Sequence, residues 1–365
     1  MRSHWYRPES ENYLTLDVLR VVSAAAVVVY HYGSFASWPE ALLGIRAGLP
    51  KLQMAVDLFF VISGIMMADL YGGNLQNRSQ YFDFLRRRLA RLAPLHYATL
   101  GVIALGLAWR ALHRHSAFNL SDLLINIGFL QAFGLTDHLT FNRPSWSISA
   151  EIAMYAALPL LLWLSRKRLA SIALVVGLLI SAMLLDFRGI KSWLYLTYDF
   201  GVVRAIPSFL IGLVLAQSPW LIKIPKPKLL LGLAMALMFA LCTVSVPNAG
   251  LLATLYVIAA LALAVDRQAK TDHLLLAIAP AARLTYSIYM LHHIVASLLI
   301  THLAIDGLGL TGSSLNNAIV LTALVALPVA AAASLVLLET PARKWLSGRT
   351  TRQPSSPDFP PVSVG

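Results

Sequence analysis

Charge is what this sequence has least of. Charged residues fill 13% of its 365 positions and hydrophobic residues 58%, whereas soluble domains average about 25% charged. A chain of this composition has too little polar surface to face water all round, so the expected fold is an all-α polytopic membrane protein. Cysteine is nearly absent too. The single Cys242 lies in an apolar run, which excludes disulfides and cysteine metal sites and leaves it as a packing residue. Despite a net charge of +12, no soluble segment carries a basic face interleaved with aromatics, so nucleic acid is not an expected partner. Surplus Lys and Arg is instead the ordinary mark of cytoplasmic loops. No small-residue cleavage site follows the first apolar run, which is therefore expected to remain as a helix. Repeats and long Gly/Ser linkers are missing, which points to one transmembrane domain over residues 1–345.

What is present is a series of apolar runs, at about 13–32, 52–70, 92–112, 121–135, 147–165, 169–185, 199–216, 228–246, 249–265, 284–303 and 317–338, most of them long enough to cross a bilayer. Basic groups follow several of them: Arg78 to Arg91, Arg166 to Arg168, Lys223 to Lys228, Arg267, Lys270, Arg283, and Arg343 to Arg352. All fall on one side, with Arg2 and Arg7, only if 121–135 and 147–165 together make one crossing. About ten transmembrane helices result, with both termini cytoplasmic in a bacterial-type inner membrane. The segment around 121–146, with Asp137, His138, Asn142, Arg143 and Pro144, is then expected to be re-entrant or interfacial. Residues 346–365 read as a disordered Pro/Ser-rich cytoplasmic tail.

Five stretches place polar groups where hydrocarbon is expected. In YLTLDVLRVVSAAAVVVYHY, Asp17, Arg20 and His31 share one helical face, with Arg20 and His31 about 16 Å apart along the axis. Burying one such charge costs roughly 3 kcal/mol on insertion scales. The stripe therefore needs a polar cavity, or it is an Asp17–Arg20 ion pair with a hydrogen-bonded His31. DLFFVISGIMM carries Asp57 and the pair Ser63-Gly64, which suits close approach by a helix or by a ligand. RRRLARLAP presents Arg86, Arg87, Arg88 and Arg91, able to hold anionic lipid head groups or the phosphates of a nucleotide-like donor. RPSWSISAEIAMYAALP contains Trp146, Ser147, Ser149 and Glu151, and ARLTYSIYMLHH contains Tyr286, Tyr289, His292 and His293.

These six pieces, counting the closing LETPARKW, resemble in order and across nearly the whole chain the membrane-bound acyltransferase 3 family. The family's arginine, ten-residue gap, histidine signature is matched by Arg20 and His31, and its tryptophan-serine-glutamate segment by Trp146, Ser147 and Glu151. The chain departs mildly at Ile65 and at Ile152, where a second polar residue is common, and has an additional His293. The resemblance implies an integral membrane O-acyltransferase of the stand-alone branch, without a C-terminal hydrolase-like domain. Such enzymes move acetyl or another short acyl group from acyl-coenzyme A, a co-substrate, to a hydroxyl of a cell-envelope or secreted carbohydrate, in some cases lipid-linked. No metal is implied; membrane lipids are the surroundings.

On that basis His31 is expected to be general base or acyl carrier, with Glu151 holding its tautomer. Arg20, Arg87, Arg88, Arg91, Ser63 and Gly64 are expected to grip the donor. Asp17, Asp57, Trp146, Ser147, Tyr286, Tyr289 and His292 are expected in the substrate pocket. The buried set Asp17, Arg20, His31 and Glu151 equally describes the relay of a proton-coupled secondary transporter. Inverted-repeat symmetry with paired broken helices, which would favour that alternative, is not found.

Overall fold

The computed structural model describes residues 13–73, 75, 77–114, 118–187, 189, 192–244, 246–268, 273–309 and 313–347. Arg2, Arg7, Lys270 and residues 348–365, nearly all of the expected tail, lie outside the described residues. Every regular element among the described residues is helical, as the apolar composition requires. A chain in hydrocarbon must satisfy its backbone groups within each segment.

In chain order the main helices are α1 (Leu14–Gly33), α2 (Ala55–Tyr71), α3 (Arg78–Arg114), α4 (Leu120–Ile127), α5 (Trp146–Ala156), α6 (Leu158–Arg166) and α7 (Arg168–Phe187). They are followed by α8 (Gly201–Ala216), α9 (Pro227–Thr243), α10 (Asn248–Gln268), α11 (Thr285–Ala296), α12 (Ser313–Ser334) and α13 (Thr340–Leu346). Seven continuous helical stretches are long and apolar enough to cross a membrane, and an eighth crossing results if the pair α5 and α6, bent by 67°, counts as one. Helices α8 and α9 are apolar but shorter. The protein is a multi-pass membrane protein; of the ten crossings expected, the described helices supply seven, or eight with the bent pair.

The region 121–146 is where the chain stops behaving as a regular span. Helix α4 has 8 residues, about 12 Å of rise and far short of a bilayer. It begins at Asn119, whose side chain accepts from the backbone N–H groups of Ser121 and Asp122. The following loop is tied down rather than free. Ser149 Oγ donates to the Phe129 carbonyl at 2.6 Å and accepts from Ala132 N–H at 3.2 Å. Asn142 Nδ2 donates to the Met290 carbonyl at 3.0 Å, and the backbone N–H of Gly134 and Val202 donate to Tyr198 and Ala132. Non-helical backbone at this depth is tolerable because protein groups take up its polar atoms.

The centre of the bundle is the crossing of α2 with α8. Gly64 and Gly212 face each other's backbone: a Cβ on Gly64 would lie 2.2 Å from the Phe209 carbonyl oxygen, and one on Gly212 would lie 2.1 Å from that of Val61. The absence of two side chains is thus what lets the main chains touch. Buried beside this contact, Arg204 of α8 holds Asp57 of α2. Its Nη2 is 2.6 Å and its Nε 3.2 Å from the carboxylate, and both side chains are buried. Helix α1 packs on α2, α10 and α11. Its first turn is capped from a distance: the Asp266 carboxylate on α10 accepts from Thr15 N–H at 2.7 Å and Leu16 N–H at 3.0 Å, a carboxylate at the positive end of a helix dipole.

Gly64→Ala should therefore destabilise the protein by about 1–3 kcal/mol or more, since the new methyl meets backbone that cannot rotate away. Gly101→Ala on α3, with nothing within 4 Å of the added carbon, should be neutral or stabilising by up to ~1 kcal/mol. Thermal unfolding of the two variants in detergent checks this, and equal melting temperatures would refute the crossing.

Candidate active site

Helix α1 carries its polar stripe past two cavities. The first, narrow and of about 80 Å³, is lined among others by Arg20, Ser63, Arg88, Arg91, Ser147, Glu151, Tyr155, Tyr286 and Tyr289, with Phe59, Phe60, Met66 and Met67 as its apolar wall. The second, of about 410 Å³, is lined by His31, His293, Arg143, Arg204, Tyr30, Tyr195, Tyr198, Trp146 and Tyr289, among others. Tyr289 and Val56 belong to both walls. The Tyr289 hydroxyl accepts from Ser147 Oγ at 2.9 Å and donates to the Pro144 carbonyl at 3.2 Å. The partition between the cavities is therefore a tyrosine fixed at its tip.

In the first cavity three guanidinium groups face one carboxylate. Arg20 is ion-paired with Asp17 at 3.4 Å, one turn back on α1, so the pairing weighed from the sequence exists and Arg20 still borders the cavity. Glu151 accepts from Ser63 Oγ at 3.0 Å and from the Tyr155 hydroxyl. Arg88 lies over the Tyr71, Phe84 and Tyr155 rings at 5.3, 5.9 and 5.7 Å, where the ring faces favour a cation. Its Nη2 also donates to the Tyr71 hydroxyl at 3.4 Å. Tyr286 donates to the Leu92 carbonyl at 2.5 Å. A cavity with this excess of fixed positive charge is suited to an anion.

Five residues expected at the site line neither cavity: Gly64, Arg87 and Asp57, together with Asp17, which stays in its ion pair with Arg20, and His292, which lies buried beside His31. Gly64 does not border either cavity: the space its side chain would fill is taken by the α8 backbone. Arg87 is exposed, 6.0 Å from the Tyr71 ring, and is not part of the wall to which Arg88 and Arg91 belong. Adjacent residues on a helix diverge by about 100°, so an arginine run cannot all face one way. Asp57 is wholly buried in its pair with Arg204 and lines neither cavity.

At the second cavity His31 sits among imidazoles and not beside Glu151, whose contacts lie with Ser63 and Tyr155 at the first. The His31 ring centroid is 4.8 Å from that of His292 and 4.6 Å from that of His293. His292 is fully buried, its Nδ1 2.6 Å from the Tyr289 carbonyl. The structure therefore separates the two residues expected to do chemistry: Glu151 joins the Arg20 side, and His31 joins α11. It also brings in residues that the sequence reading passed over. Arg204 stands under Trp146, its guanidinium 5.2 Å from the ring. Arg143 projects into the His31 cavity. Buried Glu339, in the LETPARKW segment, accepts from Ser287 Oγ at 2.6 Å and Ser334 Oγ at 2.7 Å. Arg204 and Glu339 had the same signal as Arg20, an ionisable group inside or ending an apolar run; Arg143 had none beyond its place in a polar loop.

Over 160 residues the chain is 32% identical to the acyltransferase MdmB of Streptomyces mycarofaciens, covering 42% of this chain and 40% of that protein. It is 30% identical over 194 residues to protein 2 of the picA locus of Rhizobium radiobacter, covering 48% of this chain and 93% of that one. The chain thus spans less than half of MdmB's length. No solved structure matches it. A family model described as an acyltransferase domain matches residues 13–338, which takes in α1 through α12 and every residue that lines the two cavities. With nearly all of its length so matched, the chain belongs to the acyltransferase 3 family.

Proposed function

We propose that this protein is a membrane O-acyltransferase that moves an acetyl or other short acyl group from acyl-coenzyme A to a hydroxyl of a cell-envelope or secreted carbohydrate. The single observation that carries the reading is the pair of cavities on one face of α1. One is cationic and narrow beside Arg20, the other is larger and lined by His31, tyrosines and Arg143, and they share a wall at Tyr289. Acyl transfer needs a grip on an anionic donor at one place and a base for a hydroxyl at another, with the reacting atoms meeting between them.

The chemistry follows from that division. Arg20, Arg88 and Arg91 bind donor phosphates by charge-assisted hydrogen bonds, and the small cavity suits the slender cysteamine end of the donor's pantetheine arm. Glu151, held by Ser63 and Tyr155, limits the net charge there and fixes the wall against which the arm lies. His31 takes the proton of the acceptor hydroxyl as the acceptor oxygen attacks the thioester carbon, and returns a proton to the departing sulfur. Read by the positive-inside rule, the basic loops support donor entry, and both termini, on the cytoplasmic side of an inner membrane.

Purified protein given radiolabelled acetyl-coenzyme A and a cell-envelope polysaccharide extract should label the polysaccharide, and mass spectrometry of that polysaccharide names the acyl group and its position. Transfer absent with every extract, together with proton flux across vesicles holding the protein, would overturn the proposal in favour of transport. Arg20→Ala should raise the dissociation constant for coenzyme A by ~10-fold or more, the loss of one charge-assisted hydrogen bond of roughly 1.5–3 kcal/mol, and Arg20→Lys should restore only part of it. Calorimetric titration reads both, and unchanged affinity would leave Arg20 as the partner of Asp17 alone. His31→Ala and His31→Gln should each abolish labelling while binding coenzyme A as the wild type does, because neither side chain can take the proton. Retained labelling in either would remove His31 from the chemistry.

A further inference from the structure

The buried face of His292 is unfinished in a way that points at His31. Its Nδ1 lies 2.6 Å from the Tyr289 carbonyl oxygen. A carbonyl only accepts, so Nδ1 carries the ring proton and Nε2 is left as a bare acceptor. That Nε2 is buried and has no hydrogen-bond partner, although buried polar atoms are nearly always satisfied. Two imidazoles lie beside this ring: that of His31, centroid to centroid 4.8 Å and tilted by 37°, and that of its chain neighbour His293 at 5.1 Å; one ring nitrogen from each of the three falls within 4.8 Å of the others. The two helices are pinned at this level. Tyr32, next to His31 and itself buried, donates its hydroxyl to the His292 carbonyl at 2.9 Å. Asn142 donates to the carbonyl two residues earlier, that of Met290.

We infer that His292 is a positioning residue for His31: its bare Nε2 accepts a hydrogen bond from one nitrogen of His31 and thereby leaves the other nitrogen of His31 unprotonated toward the larger cavity. The assignment rests on the reading of His31 as the group that takes the acceptor proton, and it gives to His292 the tautomer-holding role that Glu151 is too occupied elsewhere to fill. An imidazole can act as base only through a nitrogen without hydrogen, so fixing which nitrogen that is decides whether the lone pair faces the substrate or the helix.

The acceptor hydroxyl gives its proton to the cavity-facing nitrogen of His31 as its oxygen bonds the acyl carbon. The carbon–sulfur bond then breaks with its electron pair on sulfur, and the sulfur takes that proton back from His31. The hydrogen between His31 and His292 stays on His31 throughout, and His292 remains neutral, its own hydrogen held by the Tyr289 carbonyl. Because His292 touches His31 and not the substrate, its removal should change the turnover number and leave donor binding alone.

Full-length protein in detergent, assayed with radiolabelled acetyl-coenzyme A and the cell-envelope polysaccharide extract, tests this. His292→Phe keeps a planar ring of similar size but has no acceptor, and should lower kcat by about 100-fold, within the range lost when a general base is disabled, with KM for acetyl-coenzyme A within about twofold of wild type. His292→Gln places an amide oxygen where Nε2 stands and should recover most of that loss. Tyr32→Phe leaves every imidazole in place but releases the His292 backbone from α1. It should lower kcat in the same direction by a smaller factor, and it carries the test if His292→Phe does not fold. Wild-type kcat in His292→Phe, or in Tyr32→Phe where that variant stands in, alongside an inactive His31→Ala would overturn the positioning role and leave the wider proposal intact. A glutamine variant as slow as the phenylalanine one would also overturn it. So would stoichiometric zinc in the wild type, lost with His292→Phe, since the lone pair would then belong to a metal ion. Activity in His31→Ala would remove the reading on which the assignment rests.

Discussion

A buried arginine and a buried aspartate hold this bundle to one arrangement. Arg204 and Asp57 meet on facing helices, both buried, through Nη2 and Nε of one fork. Removing either partner from such a pair strands a charge and costs about 3–5 kcal/mol. The geometry is demanding as well: a guanidinium is planar and its donors are directional, so α2 and α8 cannot slide along each other without losing the bond. Trp146 packs over that same guanidinium, and Trp146 begins the bent segment that carries Ser147, Glu151 and Tyr155 into the first cavity. The second cavity is walled by Trp146 and Arg204 themselves. Both cavities thus take their shape from one ion pair.

The division of polar groups along α1 has a simple physical origin. A straight α-helix returns to nearly the same face after eleven residues, so Arg20 and His31 look the same way about 16 Å apart. Whatever packs there meets a cation at one end and an imidazole at the other. The neighbouring helices answer each end in kind: α3 brings arginines and α5 a carboxylate to the first, while α11 brings two more imidazoles to the second.

Much of this was legible in the residues, and the limits are instructive. Helical class, the polar stripe on α1 and the broken region around 121–146 all follow from periodicity and from charge in apolar surroundings. The number of crossings was less legible, because α8 and α9 are shorter than the apolar runs that contain them. Partnerships were legible within a helix, as for Asp17 with Arg20, and not between helices. Nothing local says that Asp57 is answered by Arg204, 147 positions away, or that Glu151 turns to Ser63 and Tyr155 instead of to His31. Such choices are made by which faces the folded helices present, and no spacing rule reaches across them. Arg87 and Gly64 show the same limit from the other side: each sits in a motif whose neighbour borders a cavity, and one step along a helix turns a side chain about 100° away.

The contact of α2 with α8 constrains how this sequence can drift. At Gly64 and Gly212 each missing side chain is replaced by a carbonyl oxygen of the opposite main chain. When a residue crowds a neighbouring side chain, a smaller neighbour elsewhere can restore the fit. Here the neighbour is backbone, present whatever residue is encoded, and cannot be trimmed. The two glycines are therefore not a matched pair that could change together; each is fixed independently, and no second-site replacement makes room for a larger residue at either.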